Sequence, residues 1–301
     1  MRIVIALGGN AILQKGQALE ATIQRSNIQK ACIAIRSIAD DNQLIITHGN
    51  GPQIGLLALQ SASYSAVTPY PLDVLGAESE GMIGYFLEQE LRNVLPTHSI
   101  ATLLTQVEVD NQDPAFKNPL KYIGPQYTEQ QAQQLAQQKN WQFAKEDNYY
   151  RRVVASPMPH KILESSIIHM LVNAGVIVIC AGGGGIPVIK DDKGSYQGIE
   201  AVIDKDLVSA LLAKELKADC LLMLTDVSAV IDHWGSPNAK AVTEITTRDI
   251  KKLNFAAGSM QPKVNAACHF VESTNGTAYI GALDEVQAIL SGKAGTKITL
   301  S

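Results

Sequence analysis

The chain has 301 residues, 46% hydrophobic and 18% charged, which excludes disordered, collagen-like and coiled-coil classes and allows one large core or two smaller ones. Lys and Arg number 25 against 29 Asp and Glu, a net charge of −4, and no basic run exceeds two residues, so a nucleic-acid partner is not expected. The longest nearly apolar stretch, residues 171–181, is broken by Asn173 and Gly175 and is shorter than the roughly 18 residues that a membrane span needs.

Six short aliphatic or β-branched runs read as strands, and the stretches between them carry helical spacing. The first strand covers residues 2–7 and turns at Gly8 and Gly9. Its apolar part is too short for the core of a secretion signal, and a cytoplasmic protein is expected. A helix follows at 17–39, a strand at 44–47, and helices at 52–61, with Pro52 in the first turn, and 73–94. The third strand spans 100–107. Later come a helix at 163–174, a strand at 176–180, a helix at 206–216, a strand at 220–224, a helix at 263–272 and a strand at 278–280. Strands without polar alternation, joined by helices, predict an α/β fold whose mainly parallel sheet is covered on both faces.

Residues 108–160 break this rhythm with proline, tyrosine and polar residues. A glutamine-rich helix is predicted over 128–140, where Thr128 and Gln131 have capping-box spacing. Tyr122, Tyr127, Trp141 and Phe143 supply a small apolar cluster, so the segment reads as a small subdomain rather than a linker. Cys32, Cys180, Cys220 and Cys268 are far apart and form no C-x-x-C pair, as buried thiols of a reducing compartment would be.

Three glycine-containing loops directly follow predicted strands: Gly8-Gly9-Asn10, His48-Gly49-Asn50-Gly51-Pro52 and Gly182-Gly183-Gly184-Gly185. The strands of a parallel sheet end at one edge, so these loops should meet there, with bare amides able to approach an anion. A phosphate site is the natural inference. Neither G-x-G-x-x-G nor G-x-x-x-x-G-K-[ST] occurs, which disfavours dinucleotide-fold and P-loop chemistry. His48, beside Gly49, is read as holding its loop by a hydrogen bond rather than as an acid or base. Asp204 is read as a helix cap.

The ordered strings Ala6-Leu7-Gly8-Gly9-Asn10-Ala11, His48-Gly49-Asn50-Gly51-Pro52-Gln53, Phe116-Lys117-Asn118-Pro119, Ile123-Gly124-Pro125, Ala201-Val202-Ile203-Asp204-Lys205-Asp206 and Gly258-Ser259-Met260-Gln261-Pro262-Lys263 resemble the carbamate kinases of the amino-acid kinase superfamily over nearly the whole chain. The resemblance implies reversible phosphoryl transfer between ATP and carbamate, used to make ATP from ADP and carbamoyl phosphate in arginine or purine and allantoin catabolism. It implies a three-layer αβα sandwich, commonly a homodimer, with an acceptor half at 1–107, a protruding subdomain at 108–160 and a nucleotide half at 161–301. By the same resemblance Lys121, Lys205, Asp206 and Lys263 are the catalytic group, Lys205 on the transferring phosphoryl, Asp206 organising the lysines and Lys263 on the nucleotide phosphates. Gly8, Gly9, Asn10, Gly49, Asn50 and Gly51 would bind the phosphoryl and the carbamate, and Gly182, Gly183, Gly184, Gly185, Thr225 and Asp226 would border the nucleotide. Mg2+ is expected on the nucleotide phosphates, held by phosphate oxygens and water, with no protein ligands assigned.

One position departs from the pattern. Where better-known relatives resemble M-T-Q-G-x-I-G-Y, this chain reads Glu78-Ser79-Glu80-Gly81-Met82-Ile83-Gly84-Tyr85, so a carboxyl stands in place of an amide. A charge there would be unfavourable near an anionic acceptor unless neutralised or turned away. A related kinase with another carboxylate or phosphate acceptor is the competing enzyme reading, which lacks the subdomain. A silent nucleotide sensor is the competing non-enzyme reading.

Overall fold

Strands that are apolar on both faces must lie between two layers of helices, and the register of this chain puts them there. A computed structural model describes residues 1–255 and 260–301. Gly258 and Ser259 of the last motif fall outside the described residues. The strands of the main sheet are β1 (Arg2–Leu7), β2 (Gln43–His48), β3 (Ile100–Thr102), β4 (Ile177–Ile179), β5 (Cys220–Thr225), β6 (Glu244–Thr246), β7 (Thr277–Ala282) and β8 (Thr296–Thr299). They are ordered β6-β8-β7-β5-β1-β2-β4-β3. The run from β7 to β3 is parallel throughout, and only the β7–β8 pairing is antiparallel.

The helices are α1 (Ala21–Arg36), α2 (Gly51–Ser61), α3 (Leu72–Val94), α4 (Glu129–Lys139), α5 (Ser165–Asn173), α6 (Lys205–Glu215), the single turn α7 (Thr247–Ile250), α8 (Met260–Thr274) and α9 (Val286–Leu290). Alternation along β1 divides the core: Ile3, Ile5 and Leu7 pack with residues of α1, α3 and α9. Val4 and Ala6 pack on the other face with residues of α5, α6 and α8. The fold is thus the αβα sandwich. All four cysteines are free and buried in it.

The strand predicted over 100–107 is two strands in different sheets. Ile100–Thr102 forms the edge of the main sheet beside β4. Gln106–Val109 instead pairs with Ile186–Lys190 and Pro159–Ile162 in a four-stranded sheet. The break is satisfied by side chains: the Thr105 N–H donates to Glu80 and the Gln106 N–H to Glu164. Periodicity cannot see such a break, because both halves are equally apolar. The first helix is also shorter than predicted and begins at Ala21: Gly16 has φ +86°, and the Gln17 side-chain Oε1 accepts from the Gln14 N–H and the Asn27 amide.

Within residues 108–160, Lys121–Tyr127, Tyr149–Val154 and Gln142–Glu146 form a separate antiparallel sheet, in that order. α4 lies beside it, entered through the Thr128–Gln131 capping box. This sheet docks on α2 by glycine against glycine: a Cβ added at Gly55 would stand 2.0 Å from Gly124 Cα. Gly55→Ala forces the two backbones apart and is expected to cost about 1–3 kcal/mol, the usual penalty of overpacking. Urea unfolding measures this, and an unchanged midpoint would mean that the contact has room to spare.

Candidate active site

Register brings the loops together. Leu7 is level with His48 on one side and with Leu224 on the other, so Gly8, Gly49 and Thr225 leave the sheet side by side. Gly8 crosses β5 so closely that its N–H donates to the Leu224 carbonyl at 2.9 Å, and a Cβ there would stand 2.9 Å from the same oxygen. After it, Gly9–Ala11 makes one 3-10 turn rather than the α-helix start that a phosphate loop suggests. The helix N-termini that reach this edge belong to α2, α6 and α8.

Gly8, Gly9, Asn10, Lys121, Asp204, Lys205, Asp206, Thr225, Asp226 and Lys263 line a hollow of about 430 Å³ together with Val227, Met260 and Pro262. Three lysines therefore converge from the subdomain, α6 and α8. Lys121 Nζ lies 2.5 Å from Asp204 Oδ2. Lys205 Nζ lies 2.5 Å from one oxygen of Asp206, and Lys263 Nζ 3.0 Å from the other. Asp204 also caps α6 by accepting the N–H groups of Asp206 and Leu207. On the opposite wall the Asn10 amide donates to Asp226 at 2.7 Å.

These charges are mutually held. Burial alone would raise the Asp206 carboxyl, but the charges and hydrogen bonds of Lys205 and Lys263 outweigh it and keep the group well below the usual carboxylate range. Burial pulls the Lys205 ammonium down, and Lys263 adds to that while Asp206 opposes it. Burial likewise opposes the lowering of Asp204, which Lys121 supplies. Three ammonium groups are thus aimed at one hollow, an arrangement suited to an anion. Among the described residues no group of three His, Cys, Asp or Glu could hold a metal ion, and the carboxylates of Asp204 and Asp206 are committed to lysines.

Gly49 stands at the rim, where an added Cβ would lie 3.5 Å from Lys205 Cδ and 3.6 Å from Gly9. Asn50 is buried one step behind and donates to Ser79 Oγ at 2.8 Å. Gly51 opens α2 and faces the Tyr122 carbonyl. The 182–185 run is not brought to Thr225 and Asp226. It follows β4, on the far side of β2 from β5, where an added Cβ would strike His48 at Gly182, Asn50 at Gly183 and Ile203 at Gly184. The run instead packs against the 48–51 loop, where its glycines let a buried turn pass close to His48 and Asn50.

His48 is fully buried. Its Nδ1 hydrogen-bonds the Gly49 carbonyl, and burial pushes its pKa down to about 4, so it holds the loop and carries no charge at neutral pH. Two supports show their partners only in the structure. Asp204 serves as cap and as the partner of Lys121, and only the first role shows in an Asp ahead of a helix. Ser79 and Glu80, adjacent on α3, each reach a loop of the site; the motif around residue 80 flags the position, but not the Asn50 and Gly182 partners.

The profile of the amino acid kinase family matches residues 1–282. A carbamate kinase of Haemophilus influenzae is 55% identical over 99% of this chain and 97% of its own length. One of Rhizobium meliloti is 53% identical over 100% and 94%. The solved carbamate kinase from Giardia lamblia bound to AMP-PNP superposes with a TM-score of 0.91 at 39% identity, over 100% of this chain and 98% of that one.

Proposed function

We propose, from the premise that this chain belongs to the amino acid kinase family and within it to the carbamate kinases, that its hollow carries phosphoryl transfer between ATP and carbamate. The observation that supports this most directly is the convergence of Lys121, Lys205 and Lys263 on a single hollow floored by Gly8 and Gly9. Carbamate is already an anion and needs no general base, so the task is to align two anions and neutralise charge spread over the phosphoryl oxygens. Ammonium groups and amides are sufficient for that.

In this reading the amides of Gly8 and Gly9 and the Asn10 side chain receive the phosphoryl group. Lys205 follows it during transfer, Lys121 closes from the subdomain, and Lys263 neutralises the nucleotide phosphates. Asp206 bridges Lys205 and Lys263 and favours the ammonium form of Lys205. Gly49, Asn50 and Gly51 bound the carbamate end, with residues 182–185 supporting them from below, while Thr225 and Asp226 border the nucleotide. The nucleotide enters as its Mg2+ complex, the ion travelling with the phosphates.

We also assign ATP synthesis from ADP and carbamoyl phosphate as the working direction, in arginine or purine and allantoin catabolism, by a cytoplasmic homodimer. The deciding assay supplies ADP and carbamoyl phosphate and reads ATP formed, with N-acetylglutamate plus ATP as the competing acceptor test. ATP appearing in the first supports the reading. Turnover of N-acetylglutamate without it would overturn the acceptor.

A further inference from the structure

Residues 108–160 leave the body of the protein and return, and one small core decides where they sit. Ile123 and Val154, from neighbouring strands of the subdomain, are buried with Ile54 and Ala58 of α2, Leu72 and Leu75 of α3, and Val202 of the stretch before α6. The Val202 N–H also donates to the Ala155 carbonyl at 2.9 Å, so the returning chain is hydrogen-bonded to that stretch. Lys121 stands two residues before Ile123, on the same face of its strand, and Asp204 stands two residues after Val202. Apolar packing therefore fixes both backbones, and what remains to be set is where the lysine's charge lies.

The Asp204 carboxyl divides its oxygens. Oδ1 caps α6, accepting the Asp206 N–H at 2.9 Å and the Leu207 N–H at 3.4 Å, while Oδ2 lies 2.5 Å from Lys121 Nζ. A cap needs one acceptor oxygen, and Asn or Ser supplies it about as well as Asp. The second oxygen and the charge are surplus to the helix, and Lys121 takes both. Among the described residues Asp204 is the one ion-pair partner of Lys121. The two side chains are 27% and 20% exposed, whereas the attachment of the subdomain lies in the buried cluster, so docking has a separate cause. An unheld lysine is a point charge on a flexible four-carbon stem. Its ammonium has three N–H donors; one goes to Asp204, which leaves two for an anion in the hollow that both residues line.

We propose that Asp204 is a positioning residue for phosphoryl transfer: its second carboxyl oxygen seats the Lys121 ammonium at the hollow, so that the subdomain delivers a fixed positive charge and not a mobile one. This rests on the phosphoryl-transfer reading of the hollow. Two carboxylates two positions apart then divide three ammonium groups, Asp206 holding Lys205 and Lys263 and Asp204 holding Lys121. Seating matters because misplacing a catalytic group by about 1 Å can cost about 100-fold in rate.

Asp204→Asn separates the two tasks. Its amide oxygen keeps the cap, which leaves the NH2 group facing Lys121, a donor against a donor. Asp204→Ser also caps but has no second oxygen to offer. In both variants kcat for ATP formation from ADP and carbamoyl phosphate should fall about 10- to 100-fold, while the KM for ADP and the melting temperature stay close to those of the unaltered protein. In a Lys121→Ala background the same substitutions should bring no further loss, because the side chain they act through is gone. An equal loss in that background, or unchanged kcat in folded Asp204→Asn and Asp204→Ser proteins, would overturn the proposal. A third arm needs no turnover. The 1H–15N signal of the Lys121 ammonium, identified by its absence from Lys121→Ala, should be visible in the unaltered protein through slowed hydrogen exchange and lost in Asp204→Asn. No such signal in the unaltered protein, or the same signal in both, would remove the seat. If the unaltered protein does not turn over carbamoyl phosphate, it is the function that fails, and the ammonium signal still decides whether Asp204 holds Lys121.

Discussion

Lys205→Ala is expected to lower phosphoryl transfer by about 100- to 1,000-fold, the usual loss when one preorganised donor is removed from a developing charge. The structure gives this variant a reason to stay folded. Asp206 keeps Lys263 at 3.0 Å, so no carboxylate is left bare, and the main-chain cap of α6 comes from Asp204 rather than from the lysine. The loss should appear in kcat more than in the KM for ADP, because the ammonium is needed most when charge has spread over the phosphoryl oxygens. Steady-state kinetics with a circular-dichroism control measures both, and full turnover in a folded Lys205→Ala protein would remove Lys205 from the mechanism.

Asp206→Ala should do a different kind of harm. Its side chain is 6% exposed and divides its oxygens between two ammonium groups that are themselves 11% and 14% exposed. Without the carboxylate two like charges face each other in a buried place, a situation that typically costs about 3–5 kcal/mol of stability. The Lys205 ammonium, already pulled down by burial, should lose its proton at lower pH than in the unaltered protein, so residual activity should decline earlier as pH rises. Asp206→Asn keeps an acceptor oxygen and should fall between the two. Urea unfolding and pH–rate profiles of the three proteins test the ranking, and an Asp206→Ala protein as stable as the parent would show that the lysines do not depend on it.

Much of this architecture is visible in the letters. β1 matches the predicted run at both ends, since Ile3–Leu7 is unbroken and apolar and stops at the Gly8-Gly9 turn. The capping box at Thr128 was likewise legible, because it depends on two residues three apart. What stayed hidden depends on distant partners. The split between Ile100–Thr102 and Gln106–Val109 arises from carboxylates at positions 80 and 164, and no local window contains them. The same holds for the site: the glycine loops and motif lysines could be picked out singly, but the pairing of Lys121 with Asp204 spans 83 positions. The 182–185 run shows what composition leaves open: its glycines also let backbone pass close to His48 and Asn50, a packing demand that the letters alone do not separate from an anion cradle.

The four interior thiols give the molecule a set of clocks. Burial drives Cys32 and Cys220 to about 12 and Cys268 to about 11, so alkylating reagents gain no thiolate until the surrounding layer opens. Cys32 lies on α1, Cys220 opens β5 and Cys268 lies on α8, placing one reporter in each helical layer and one in the sheet. Labelling followed by mass spectrometry should therefore resolve whether the two outer layers breathe independently or only when the whole domain unfolds.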